Sequence, residues 1–195
     1  DGKKAIDYFI EDKKIADSMV LSDMKLASTV PTDVILFNID SKGEMGGKHS
    51  KDAIVSVFLK VFNEMQGFCA SNPFLADLER KLTEEGKYDL FKEKFEDFFG
   101  SSWEEARNDF DFIQDDVVEV ISEIGFMSEE AARNWCGKAS GQYDISIEDF
   151  AGLVKKYIDS KGNNHHIVFL VDEIGQYIGD DSKLMLNLQT VTEDL

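Results

Sequence analysis

The sequence is poor in cysteine, proline and cations. Two cysteines among 195 residues, Cys69 and Cys136, exclude a disulfide framework and a cysteine-based zinc site. Lys and Arg number 21 against 39 Asp and Glu, a formal net charge of −18. A surface of that sign repels phosphate backbones and anionic lipid, so nucleic acid and membranes are not expected partners. No apolar run approaches the roughly 18 residues that a membrane span requires. What the chain does contain is 43% hydrophobic residues, 15 of them Phe, which suffices for a real core and excludes disorder of the whole. The expectation is a soluble, cytoplasmic, acidic globular protein.

The chain opens at Asp1 without Met, and its last stretch places Leu184, Leu188, Val191 and Leu195 at helical spacing with no Gly or Asn stop signal. These features are read as a domain excised from a longer protein. Between the ends, Ile6, Phe9, Ile10, Ile15, Met19 and Met24 suggest one or two irregular amphipathic helices before Pro31. Val34-Ile35-Leu36-Phe37 is then a continuous apolar run without alternation. That pattern suits a strand buried on both faces of a parallel sheet.

A Gly-rich stretch, Ser41–Lys48, precedes a helix whose stripe is Ile54, Val57, Phe58, Val61, Phe62 and Met65. Asn72-Pro73 supplies an N-cap and a first-turn proline. Further helices are expected over Tyr88–Phe99, from a capping box at Ser101 and Glu104 through Ile121, from Ser128 through Cys136, and from Ser146 through Tyr157. Strand composition returns only at Ile167–Val171 (IVFLV), which ends in Asp172-Glu173. The fold class expected is α/β, a parallel sheet core with a large all-α insertion. Its parts are 1–49 (first helices and strand), 50–160 (helical insertion) and 161–195 (second strand and following helix).

Four or more apolar strand residues ending in Asp-Glu is the Walker B pattern, and its logic is physical. A buried parallel strand delivers two carboxylates to the carboxyl edge of a sheet, where ligands of open α/β sheets bind. Asp172 is the candidate for Mg²⁺, held through water because Mg²⁺ dehydrates reluctantly. Glu173 is the candidate catalytic residue, orienting or deprotonating the water that attacks the γ-phosphate. The stretch Gly43–Ser50 follows a strand and precedes a helix, yet its spacing is one residue short of a Walker A. It also has His49 where Ser or Thr would serve Mg²⁺ and Glu44 where phosphates would lie. It is read as a connector. His165 and His166 are neighbours on a strand and point to opposite faces, so they do not readily share a metal. Cys69 and Cys136 read as buried helix residues, and the aromatic block Tyr88–Trp103 as core.

The stretch Ile167–Leu195 (IVFLVDEIGQYIGDDSKLMLNLQTVTEDL) resembles the Walker B region of the large P-loop ATPases of BREX phage-defence systems, the BrxC/PglY family. Lys51–Gly67 (KDAIVSVFLKVFNEMQG) and Val34–Lys42 (VILFNIDSK) are similar to the same family. The resemblance implies that the α/β core is a partial P-loop NTPase (AAA-like) parallel sheet core, an ATPase domain using ATP and Mg²⁺, with Asp172 and Glu173 as its Walker B pair. Gln176 and Tyr177 match the continuation of the motif. It also implies a Walker A upstream of Asp1, other anti-phage proteins as partners, a homo-oligomer in the full-length form, and no activity for this piece in isolation. The alternative reading is a non-enzymatic helical protein-interaction module. The two apolar runs discriminate, because an ATPase needs them side by side.

Overall fold

The structure is a computed structural model and describes residues 4–42, 53–139, 143–162 and 164–195. Two helices, α1 (Ala5–Glu11) and α2 (Ser18–Thr29), lead into strand β1 (Thr32–Asn38) and a short turn of helix, α3 (Ile39–Lys42). Among the described residues the stretch that follows holds α4 (Ala53–Met65), α5 (Pro73–Glu84), α6 (Tyr88–Phe99), α7 (Trp103–Ala106), α8 (Gln114–Glu123), α9 (Glu129–Ala139) and α10 (Ile147–Lys161). Strand β2 (His166–Asp172) follows, then α11 (Ile174–Ile178) and α12 (Ser182–Asp194).

β1 and β2 pair in parallel over seven residues, from Thr32 against His166 to Asn38 against Asp172. Among the described residues they form a two-stranded sheet and nothing wider. The expected P-loop, AAA-like sheet core is therefore corrected: among the described residues the protein is helical apart from this one parallel pair. The physical reason lies between the strands, where the hydrophobic spacing is helical throughout and offers the pair no third strand. Burial on both faces is corrected as well. Ile35 and Phe37 are buried and Ile167, Phe169 and Val171 pack behind them, while Val34, Leu36, Val168 and Leu170 stand exposed on the other face. A continuous apolar run still alternates in space, because successive strand residues point to opposite sides.

The inner face of the sheet packs on α4 and α10. Phe58 meets Phe37 edge-on at 5.4 Å between ring centroids, and Phe62 meets Phe150 of α10 in the same way at 5.9 Å. Tyr177, Ile178, Leu184 and Val191 from α11 and α12 close the same cluster. Each buried aromatic or aliphatic side chain contributes about 1.5–3 kcal/mol by leaving water, and edge-on ring pairs add about 0.5–1.5 kcal/mol.

A second cluster gathers α5 to α9 around Leu75, Leu78, Leu82, Phe91, Phe95, Trp103, Val117 and Ile121. The aromatic block expected as core is core at Phe91, Phe95 and Trp103. At the centre sits Glu79, 0% exposed. Its carboxylate accepts from Trp103 Nε1 at 2.7 Å, Tyr88 Oη at 3.1 Å, Arg107 Nη1 at 2.6 Å and the Cys69 backbone N–H at 2.5 Å. One buried charge thus ties α5 to α6, α7 and the α4–α5 loop.

Candidate functional site

The carboxyl edge of the sheet is built by register. Because Asn38 lies opposite Asp172, the ends of both strands deliver polar side chains to one place. Asn38 Nδ2 donates to Glu173 Oε2. Asp172 Oδ1 accepts from the Glu173 N–H at 2.8 Å. Glu173 itself is left-handed, with φ 58° and ψ 20°, a conformation that costs a non-glycine residue about 1–2 kcal/mol. Two bonds hold it there: its carbonyl accepts from Gln176 N and Tyr177 N, each at 3.1 Å, opening α11. Beneath the edge, Ile39 of α3 and Tyr177 and Ile178 of α11 are buried in the sheet's own cluster, so the turns after both strands are anchored. Gln176 is exposed.

Asp172 and Glu173, the two residues expected to act, are thus adjacent, exposed and next to a parallel strand. Sequence reasoning missed Asn38. Its signal was there: both apolar runs end in a polar residue, and pairing them end to end puts Asn38 on Asp172. The edge fits a hydrated Mg²⁺. Asp172 Oδ1 is engaged by a backbone N–H, which leaves Oδ2 to face a water shell. Among the described residues no three His, Cys, Asp or Glu side chains converge as a direct metal cage. None of Asn38, Asp172 and Glu173 is a cation, so these three do not grip phosphates. Gly43–Ser50, weighed above as a phosphate loop, lies outside the described residues.

A second polar cluster, also unforeseen, sits at the amino edge. Asp33 Oδ2 accepts from Tyr157 Oη at 2.6 Å and contacts His165 Nε2 at 2.8 Å. The Tyr157 hydrogen bond, and after it the His165 one, hold the Asp33 carboxyl below the ordinary carboxylate range. Burial, with help from Asp33, pushes the Tyr157 phenol up. Tyr157 also packs edge-on against Phe62 at 5.5 Å. The cluster ties α10 to β1 and to the residue that leads into β2. His166, one residue on, is exposed.

Cys136 is buried in α9, where burial pushes its thiol up to about 11. Cys69 is buried too, but in the loop after α4 rather than in the helix expected. No helix of the described residues is long and apolar enough to cross a membrane. No family model matches the chain, and no solved structure matches it.

Proposed function

We propose that the carboxyl edge of the sheet is the magnesium- and water-handling half of an ATP-hydrolysing site, in a protein similar to the ATPases of BREX phage-defence systems. One observation carries the reading: parallel pairing brings Asn38 onto Asp172, and the Asn38 amide engages Glu173 beside it. Asp172 would hold the cation through its water shell, with Oδ2 as the available oxygen. Glu173 takes a proton from the attacking water at Oε1 while Asn38 holds Oε2. Magnesium, when bound, neutralises charge on phosphate oxygens. The left-handed backbone at Glu173 supports the assignment, since strain of this kind concentrates at working residues. The same reading includes ATP as substrate, cytoplasmic anti-phage proteins as partners and assembly into a homo-oligomer. The rival, a helical interaction module, gains where the two apolar runs lie apart; their pairing over seven residues favours the edge.

The test uses Mn²⁺ as a paramagnetic stand-in for Mg²⁺. In this acidic chain, diffuse cation binding is the control to beat. Relaxation centred on the amides of Asn38, Asp172 and Glu173, and lost in Asp172→Ala, is the expected result. Broadening spread evenly over the acidic surface defeats the reading. This chain alone is expected to leave Mg·ATP unhydrolysed. In the intact defence protein that the resemblance implies, Glu173→Gln is expected to lower turnover by about 10²–10⁴-fold with nucleotide binding kept.

A further inference from the structure

A cleft of about 350 Å³ lies where the two hydrophobic clusters meet. One wall is α4, which belongs to the sheet's cluster. The rest is the loop into α5 and the residues just after α7, which adjoin the second cluster. Helix α4 is buried on almost every side. Only Ser56, Lys60 and Glu64, a row at intervals of four, run along its outer face, with Lys60 half-buried between the other two.

Lys60 and Arg107 both line this cleft. Lys60 makes no hydrogen bond or ion pair among the described residues. Arg107 is fixed: its Nη1 donates to the Gly67 carbonyl at 3.2 Å and to Glu79 Oε1 at 2.6 Å, and its side chain is 16% exposed. A guanidinium carries five N–H donors, and those on Nε and Nη2 have no acceptor among the described residues. Beside it, the Asn108 side-chain amide is likewise unpartnered there, and it too lines the cleft. We infer that this cleft binds a small organic oxyanion, a carboxylate or a phosphate ester, on Lys60, Arg107 and Asn108.

Charge, rigidity and place support the assignment. Two cations stand to one carboxylate, Glu64, among the lining residues, in a chain where acids outnumber bases 39 to 21. Glu79 offsets the charge of Arg107 but is buried and does not line the cleft, so it fixes the guanidinium without using up its donors. Donors held in place before a ligand arrives lose little freedom on binding it, and charge-assisted hydrogen bonds to an oxyanion are the strong kind. The apolar part of the lining, Phe68, Cys69 and Ala70, suits a ligand with a carbon body. Junctions between packed units are also where small-molecule sites concentrate, at volumes of about 300–1,000 Å³.

The experiment is a titration of the full, ¹⁵N-labelled chain, followed by amide chemical shifts, with benzoate, phenyl phosphate and uncharged benzamide as probes. Salt of about 0.15 M, with a Debye length of about 8 Å, screens diffuse attraction to surface lysines. At least one of the two anions is expected to give saturating shifts at Gly67–Ser71, Arg107 and Asn108, with a Kd of about 1 mM or tighter. The tighter anion names the class, carboxylate or phosphate ester. Benzamide should bind at least about tenfold more weakly, and Lys60→Ala should weaken the anion about tenfold. Lys183→Ala removes the same charge from α12, outside the cleft, and should leave binding unchanged. Asn108→Ala, at an exposed position, stands in if Lys60→Ala fails to fold by circular dichroism. Arg107 is kept, because its loss would strand Glu79.

The absence of saturating shifts with both anions overturns the inference. So does benzamide binding as tightly as the anions, or a loss in Lys183→Ala equal to that in Lys60→Ala. None of these readouts involves the carboxyl edge, so the cleft stands or falls apart from the chemistry proposed there.

Discussion

Glu79 shows what one residue can hold together. A carboxylate out of contact with water survives because four donors surround it, drawn from three parts of the chain. Removing it in Glu79→Ala leaves Trp103 Nε1 buried without an acceptor and Arg107 without its counter-charge. The expected loss is about 3–5 kcal/mol, read as a fall in the urea midpoint. The Asp33 cluster is milder and depends on pH. Its carboxyl is depressed in the folded state, so its stabilisation is complete above the unfolded value of about 3.9 and drains away as pH falls through the lower, folded one. Tyr157→Phe deletes the largest cause of that depression. It should cost about 1–2 kcal/mol at neutral pH and progressively less in acid, which urea titrations at neutral pH and about pH 3 will compare.

Elements were legible where local chemistry decides them. Asn72 caps α5 through bonds from Phe74 N and Leu75 N, with Pro73 in the first turn, as the dipeptide implied. Asn72→Ala should cost about 1 kcal/mol in thermal or urea unfolding; it also loses a bond from Asn72 Nδ2 to the Ala139 carbonyl at 3.2 Å, which works in the same direction. Ser146 accepts from Asp149 N at 3.0 Å and opens α10, and Ser128 accepts from Ala131 N at 3.3 Å ahead of α9. Packing decided the rest. The long helix expected from Ser101 to Ile121 is instead capped by Ser102, ends at Ala106 and continues as a 3₁₀ run over Arg107–Phe112, kinked at Asp109. The kink accompanies the burial of Phe110 and the tie from Arg107 to Glu79, contacts that no local pattern announces. In the strands the same limit appears. Composition placed both of them, and register then placed Asn38 beside Glu173, but how many strands would join them was not written in either run. The site pair was legible as residues; its third member depended on a pairing 135 positions long.

At the scale of the molecule, charge and topology pull in different directions. A net charge of −18 works against any compact state through self-repulsion. Raising salt from about 10 mM to about 150 mM shortens the screening length from about 30 Å to about 8 Å, so the melting temperature should rise, a trend that differential scanning calorimetry will follow. A fall in melting temperature over that range would mean that specific ion pairs outweigh the general repulsion. The two hydrophobic clusters meet this load differently. One is a helical core made largely of neighbours in sequence, whereas the other must bring β1 and β2 together across the intervening helices.

That distance has a cost during synthesis. Thr32 waits for His166, 134 positions further along the chain. At about 5–20 residues per second, the first strand spends roughly 7–27 s on the ribosome with its aliphatic side chains unpaired. Late in that interval the helices of the second core, α5 to α9, can already close, but β1 stays a sticky ribbon. Translation speed and early chaperone capture therefore bear on the yield of this protein more than on that of a helical bundle of equal length.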